Sequence, residues 1–208
     1  MQIRRSAPVF PFLLLAAILF SWRAASAPPA RSPNLIPNGG FEGGAEGWQW
    51  GQYKGDPEPG YIEREGAREG DACYVMSLAG IDGERTMGAV VETVDPDRDY
   101  ELTLALRVRG VPEDAVTVRV LQWGTESTDR VRPQGWVPHP GTPDRAELLT
   151  TGGSFDWRDF RIHLYRDQIK PTTSRLMLFI GHADIGTGEL WIDDVSLVAV
   201  DPVPYRGP

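Results

Sequence analysis

One cysteine among 208 residues leaves no intrachain disulfide to form, so the fold has to rest on a hydrophobic core even in an oxidising compartment. That residue, Cys73, lies in the strand-like run from Ala72 to Met76 with no basic or histidine neighbour beside it. It reads as a small buried apolar residue rather than a reactive thiol. The three histidines, His139, His163 and His182, are scattered without metal-ligand spacing. No G-x-S-x-G elbow occurs. The carboxylate pairs Asp193–Asp194 and Glu63–Glu65 are adjacent or share a strand, whereas glycoside hydrolysis needs two carboxylates that flank the substrate. A self-contained enzyme is therefore not expected. Segments with apolar residues at i, i+3, i+4 and i+7 are almost missing, which excludes a helical class.

The one long apolar run, Val9 to Phe20, comes after the basic pair Arg4 and Arg5 and precedes the small residues Ala25 and Ala27. That build predicts an export signal over residues 1–27, cleaved after Ala27. Pro28 disfavours the protease, so an uncleaved signal-anchor is the alternative. The arginine pair lacks the rest of a twin-arginine motif, and no cysteine near the cleavage region could take a lipid. The expected location is outside the cytoplasm, secreted, periplasmic or in the cell envelope, with no membrane span left after cleavage. The signal takes three of the 21 basic residues and none of the 29 acidic ones, leaving 18 against 29 and a formal charge of −11. Such a field repels phosphate backbones and anionic lipid, which argues against nucleic acid and membrane surfaces as partners. Neutral sugars remain compatible.

The mature chain of about 180 residues is long enough for one domain with a sizeable core. The boundaries are a short linker at 28–33, a domain at 34–200 and a Pro-rich tail at 201–208 that is expected to fray. Alternation is the dominant pattern. Leu102, Leu104, Leu106 and Val108 share one face of a strand and Thr103, Ala105 and Arg107 the other. Val116, Val118 and Val120 point inward from the next, leaving Thr117, Arg119, Leu121 and Trp123 outside. Further strands are predicted at 72–78, 87–94, 157–165, 175–181 and 189–199, each bounded by turn residues. The class is all-β, a two-sheet antiparallel jelly-roll β-sandwich. Two stretches break the spacing: Gly43–Gly60, with Trp48, Trp50 and Tyr53, and Gly124–Asp156, with Trp136 and four prolines. Both read as loops where binding could be added to the scaffold.

Residues 34–42, Asn-Leu-Ile-Pro-Asn-Gly-Gly-Phe-Glu, with Gly47-Trp48 shortly after, resemble the opening of the CenC-type (family 4/9) carbohydrate-binding modules, N-L-I-x-N-G-D-F-E and then a Trp. Residues 188–197, Gly-Glu-Leu-Trp-Ile-Asp-Asp-Val-Ser-Leu, resemble their closing strand. Between the two, residues 66–78, Asp99-Tyr100-Glu101-Leu102 and Trp157-Arg158-Asp159-Phe160 are similar to internal family strands. The sequence departs from the pattern at Gly40, where the family has Asp, and in the length of segment 124–156. The resemblance implies a galactose-binding-like jelly roll that binds polysaccharide or oligosaccharide without catalysis. It also implies a structural calcium that ties the first strand to the last through Glu42 and Asp193, with Asp194 as an alternative ligand, and oxygen donors suit that hard cation.

Sugar recognition needs flat apolar faces for the C–H side of a pyranose and planar hydrogen-bonding groups for its hydroxyls. Trp123 is the leading candidate, with Arg119 on the same face and Gln122 beside it; Trp50, Tyr53 and Trp136 are the loop candidates. A covered Trp123, and an Arg119 and Arg107 that merely pair with acidic neighbours, are the plainer readings. Trp48, Trp157 and Trp191 belong to the core or to sheet edges. The competing function is a structural or adhesive cell-envelope sandwich that contacts a protein partner. An outward strip of aromatics with hydrogen-bonding groups favours sugar, and an aliphatic patch or paired charges favour protein.

Overall fold

The long alternating run forms one strand, β5 (Asp99–Thr125), around which the rest of the molecule is organised. The structure, a computed structural model, describes residues 32–50, 58, 60–77, 84–125, 130–182 and 187–205. The expected signal segment, Tyr53 and the side chain of Trp50 lie outside the described residues. Eight further strands among the described residues surround β5: β1 (Trp48–Trp50), β2 (Gly60–Glu63), β3 (Cys73–Ser77), β4 (Arg85–Val91), β6 (Val131–Trp136), β7 (Leu149–Leu164), β8 (Thr173–His182) and β9 (Glu189–Val200). Among the described residues the sole helical element is a single 3-10 turn, Arg166–Gln168, and no helix is long and apolar enough to cross a membrane.

All pairing is antiparallel and runs in the order β1-β4-β8-β5-β9-β3-β2, with β6 and β7 also on β5. This path folds over on itself at β5. Residues 99–109 pair with β9 and with 155–164 of β7; residues 116–124 pair with β8, β6 and the start of β7. The crossover is made at Gly110 and Asp114, both at positive φ (65° and 60°), where the register slips repeatedly. On β7 it is matched by Gly152, where a Cβ would stand 1.9 Å from the Pro112 carbonyl oxygen. A bulge of this kind bends and twists a strand, which lets it leave one sheet for another. The result is the expected two-sheet jelly-roll sandwich, with a first sheet β2-β3-β9-β5-β7 and a second sheet β1-β4-β8-β5, on whose β5 edge lie both β6 and the start of β7.

One core fills the interior. Leu102, Leu104, Leu106 and Val108 face Val116, Val118 and Val120 across it, joined by Met87, Ala89, Leu176, Leu178, Ile180, Leu190 and Ile192. The two ends of the chain are laced together. Asn34 donates to the Val195 carbonyl and accepts from Leu197 N at 2.9 Å, while Val195 N donates to the Gly39 carbonyl at 3.0 Å. A Cβ at Gly39 would lie 1.9 Å from the Val195 oxygen, so the Asn-Gly of the opening motif is demanded by close approach. Phe41 is fully buried and stacks on Trp48 at 5.0 Å.

Two expectations need correction, and one needs a finer placement. Segment 124–156 is not a loop, because it contains β6 and the first turnover of β7, and Val137 N and Leu148 N both donate to β5 carbonyls at 2.7 and 2.9 Å. Pro133 hides β6 in the sequence, yet it sits at the bulge of an edge strand, where no ladder donor is needed. Trp191 is buried, as expected, in a satellite cluster with Cys73 and Val75 that lies on the outer face of the first sheet under Trp157. The reason is a bulge at Asp194 (φ 50°), which flips the parity of β9 so that Val195 and Leu197, but not Trp191, enter the main core. Finally, residues 201–205 do not fray: Val203 N donates to buried Asp99 at 2.8 Å and Tyr205 packs edge-on against Tyr165.

Candidate functional site

The parity that sends Val116, Val118 and Val120 inward turns Arg119, Leu121 and Trp123 to the outer face of the second sheet. On neighbouring β8 it turns out Arg175, Met177 and Phe179, and on β4 Gly88 and Val90. Trp136 arrives from β6 opposite Leu121. The Arg119 guanidinium lies over the Trp136 ring, 4.9 Å from its centroid, and Trp136 meets Phe179 edge-on at 5.4 Å. Thus Arg119 and Trp136, 17 positions apart in sequence, form one unit.

Arg119 is ion-paired with Glu84, and 17% of its side chain is accessible. Burial lowers its pKa from the ordinary arginine value, and Glu147 opposes that shift; a guanidinium stays charged through any such change at neutral pH. Its buried Nε has no hydrogen-bond partner among the described residues. Trp136 is 36% exposed. Trp123 is half-buried, so its indole is not shut away by segment 124–156, and its register partners are Arg175 and Pro133. Arg175 is in turn paired with Glu92 at 2.6 Å. The face therefore offers two indoles, one of them partly open beside a cation, and a carboxylate within reach. Flat aromatic surface next to charged donors and acceptors is what a pyranose requires.

Gln122 is not on this face. It is 1% exposed and points inward, with Oε1 accepting from Lys170 N (2.8 Å) and the Thr173 hydroxyl (3.0 Å), and Nε2 donating to the carbonyls of Gln168 (3.1 Å) and Trp136 (3.4 Å). It supports the face from beneath. The alternation that places Val120 inward places Gln122 inward too, so this was readable in the sequence. The same alternation along β8 would have found Phe179 and Met177, which sequence reasoning missed. Trp50 pairs with Met87 at the end of β1, and Tyr53 lies outside the described residues.

Glu42 and Asp193 are brought near one another at the seam between the chain ends. Glu42 Oε1 accepts from Asp71 N (2.8 Å) and Ala72 N (3.2 Å). Asp193, fully buried, accepts from Arg68 N and Asp194 N, each at 2.8 Å, and from Glu69 N at 3.3 Å. Burial raises its pKa against the pull of those amides, and the Glu42 charge adds to the rise. Backbone amides thus hold both carboxylates, and among the described residues no group of three His, Cys, Asp or Glu side chains gathers there.

No family model matches the chain. It is 30% identical over 188 residues to Exochitinase 1 of Streptomyces olivaceoviridis, a match that takes in 89% of this chain and 25% of that protein; the chain thus spans a quarter of the length of the curated relative it matches. Among solved structures, Family 16 Carbohydrate Binding Module-2 superposes with a TM-score of 0.55 at 19% identity, over 79% of this chain and 99% of the module. The CBM22-1 xylan-binding domain of Paenibacillus barcinonensis Xyn10C gives 0.56 at 12% identity, over 83% and 98%. A Stig cyclase from Fischerella sp. TAU gives 0.55 at 16% identity, over 83% and 98%. The fold is that of carbohydrate-binding modules, and it is shared by at least one enzyme.

Proposed function

We propose that the protein is an exported, non-catalytic module of the CenC type that binds polysaccharide on the outer face of its second sheet. The observation that carries this reading is the convergence of Trp123, Trp136 and Arg119 on one face of a sandwich whose fold is that of carbohydrate-binding modules. Trp136 and Trp123 supply stacking surface, the Arg119–Glu84 pair supplies a donor and an acceptor for hydroxyls, and Gln122 holds β6 in place beneath them. Arg119 and Arg175, the guanidiniums described on the face, are each matched by a carboxylate, which suits an uncharged polymer. Because one relative is an exochitinase, chitin heads the set of polymers to test, with xylan and β-glucans beside it. Glu42 and Asp193 we read as the carboxylates of a structural calcium site that pins the chain ends.

The second reading is a cell-envelope sandwich that contacts protein, and it is favoured by the aliphatic run Val90, Met177 and Leu121 in the middle of the same face. Affinity electrophoresis through gels of soluble glycol chitin, xylan and β-glucan, together with pull-down on insoluble chitin, separates the two. Retardation by at least one polymer that Trp136→Ala and Trp123→Ala each weaken by roughly tenfold supports sugar binding at this face. Free migration in every gel and no retention on chitin moves the assignment to a protein partner.

A further inference from the structure

We propose that the opposite side of the sandwich, the outer face of the first sheet, carries a second glycan-binding groove between Thr103, Asp159, Arg161 and Asp194. The ligand class rests on the reading above; the groove itself does not. Its floor is Ala105, a small residue in the middle of β5 whose partners across the sheet are Asp159 on β7 and Asp193 on β9. Its walls arise from the bulge on β9. Thr103 pairs with Ser196 but Ala105 with Asp193, so Asp194 and Val195 stand together opposite Leu104. The left-handed φ of Asp194 sends Val195 into the core and its own side chain out over the floor. Bulges re-aim side chains in this way and recur beside functional sites. The resulting groove has a volume of about 530 Å³, within the range of about 300–1,000 Å³ usual for ligand sites.

The lining alternates donors and acceptors. Arg68 and Asp159 form a two-point pair at 3.4 and 3.2 Å, and Arg161 is tied to Glu101 at 3.5 Å. The Thr103 hydroxyl and the Asp194 carboxylate take part in no side-chain hydrogen bond within the described residues and face the groove. An anion is disfavoured, because Glu69, Asp159 and Asp194 outnumber the two guanidiniums and each guanidinium already has a partner. An apolar ligand would desolvate the Asp194 carboxylate and the Thr103 hydroxyl without giving either a hydrogen bond. Hydroxyls, each both donor and acceptor, match the alternation. With no exposed indole the groove binds more weakly than the aromatic face, and two sites on opposite faces let one domain bridge two glycan chains, with the gain in avidity that bridging brings.

The test is an amide NMR titration of the purified, nitrogen-labelled protein with chitohexaose and with xylohexaose, beside Trp136→Ala, Thr103→Trp and Arg161→Ala. Expected are two sets of shifted signals with different midpoints, one around Trp136 and Arg119, the other around Thr103, Ala105 and Arg161. Thr103→Trp, which fills the groove, raises the second midpoint roughly tenfold or more and leaves the first alone. Arg161→Ala, at a side chain 73% exposed, does the same without threatening the fold, and Trp136→Ala removes the first set only. Shifts confined to the Trp136 face, or a second set that disappears with Trp136→Ala, overturn the groove and leave the aromatic-face reading standing. Shifts at Thr103 and Arg161 alone sustain the groove and overturn that reading. No shift anywhere overturns both.

Discussion

Replacing Gln122 by Leu tests whether this side chain is a ligand contact or a strut. Its four hydrogen bonds join β5 to β6, to the 3-10 turn and to β8. Without Oε1, the Thr173 hydroxyl still has Gln134 Oε1 at 3.2 Å, but Lys170 N–H is left with no replacement. One buried orphan donor costs about 1–3 kcal/mol. The Gln168 and Trp136 carbonyls lose a donor in a half-buried setting and add less. Leucine restores apolar contact, so the net loss is about 2–3 kcal/mol. For a domain of this size that lowers Tm by roughly 5–10 °C. Differential scanning calorimetry reads it directly, and glycan affinity measured below the transition falls modestly through loosening of β6. A variant with an unchanged Tm and abolished glycan binding would refute the reasoning, since it would place the amide on the ligand rather than in the interior.

Cys73 is fully buried, and its thiol is pushed up to about 12, first by burial and then by Asp193 and Glu63. It should therefore resist an aromatic disulfide reagent at pH 8 in the folded protein and react stoichiometrically once unfolded; rapid reaction in the native state would contradict its placement. Burial on its own would raise Asp99, but donation from Val203, His163 and Arg166 outweighs it and holds the carboxyl below its ordinary value. A depressed pKa contributes stability above the unfolded value near 3.8, lost as pH falls through the lower folded value. Asp99→Asn should thus lower Tm at neutral pH and flatten its acid limb between about pH 5 and 2, whereas an acid limb parallel to that of the parent would show that Asp99 does not titrate in this range. If Glu42 and Asp193 hold calcium, saturating Ca²⁺ raises Tm over a chelator control by about 5–10 °C. Glu42→Gln, which keeps an acceptor for the amides of Asp71 and Ala72, abolishes the difference; equal melting with and without Ca²⁺ in the parent rejects the site.

Alternation along residues 102–108 and 116–120 was enough to identify the core strands, because a period of two survives wherever one face of a strand is buried. The end motifs were legible for a similarly local reason, since Asn34, Gly39 and Val195 meet only in this geometry. What local pattern could not supply was pairing between distant strands. Trp136 reads as a loop aromatic until β6 is laid against β5, and Pro133 and Gly135 disguise β6 as a turn. Nor does the run around Trp191 announce its parity flip, because Asp194 holds a left-handed φ that sequence reasoning assigns to glycine or asparagine first. The second groove was invisible for the same reason.

Strands β5 and β7 each serve in both sheets, so the two layers are stitched by continuous backbone at the crossover as well as by side-chain packing. A load applied to the outer face of the second sheet would pass along covalent chain into the first sheet and from there to the segments laced at Asn34 and Val195. The layers cannot be peeled apart one at a time. Mechanically the domain should therefore yield in a single rupture, as a clamp would, rather than by sliding open sheet from sheet.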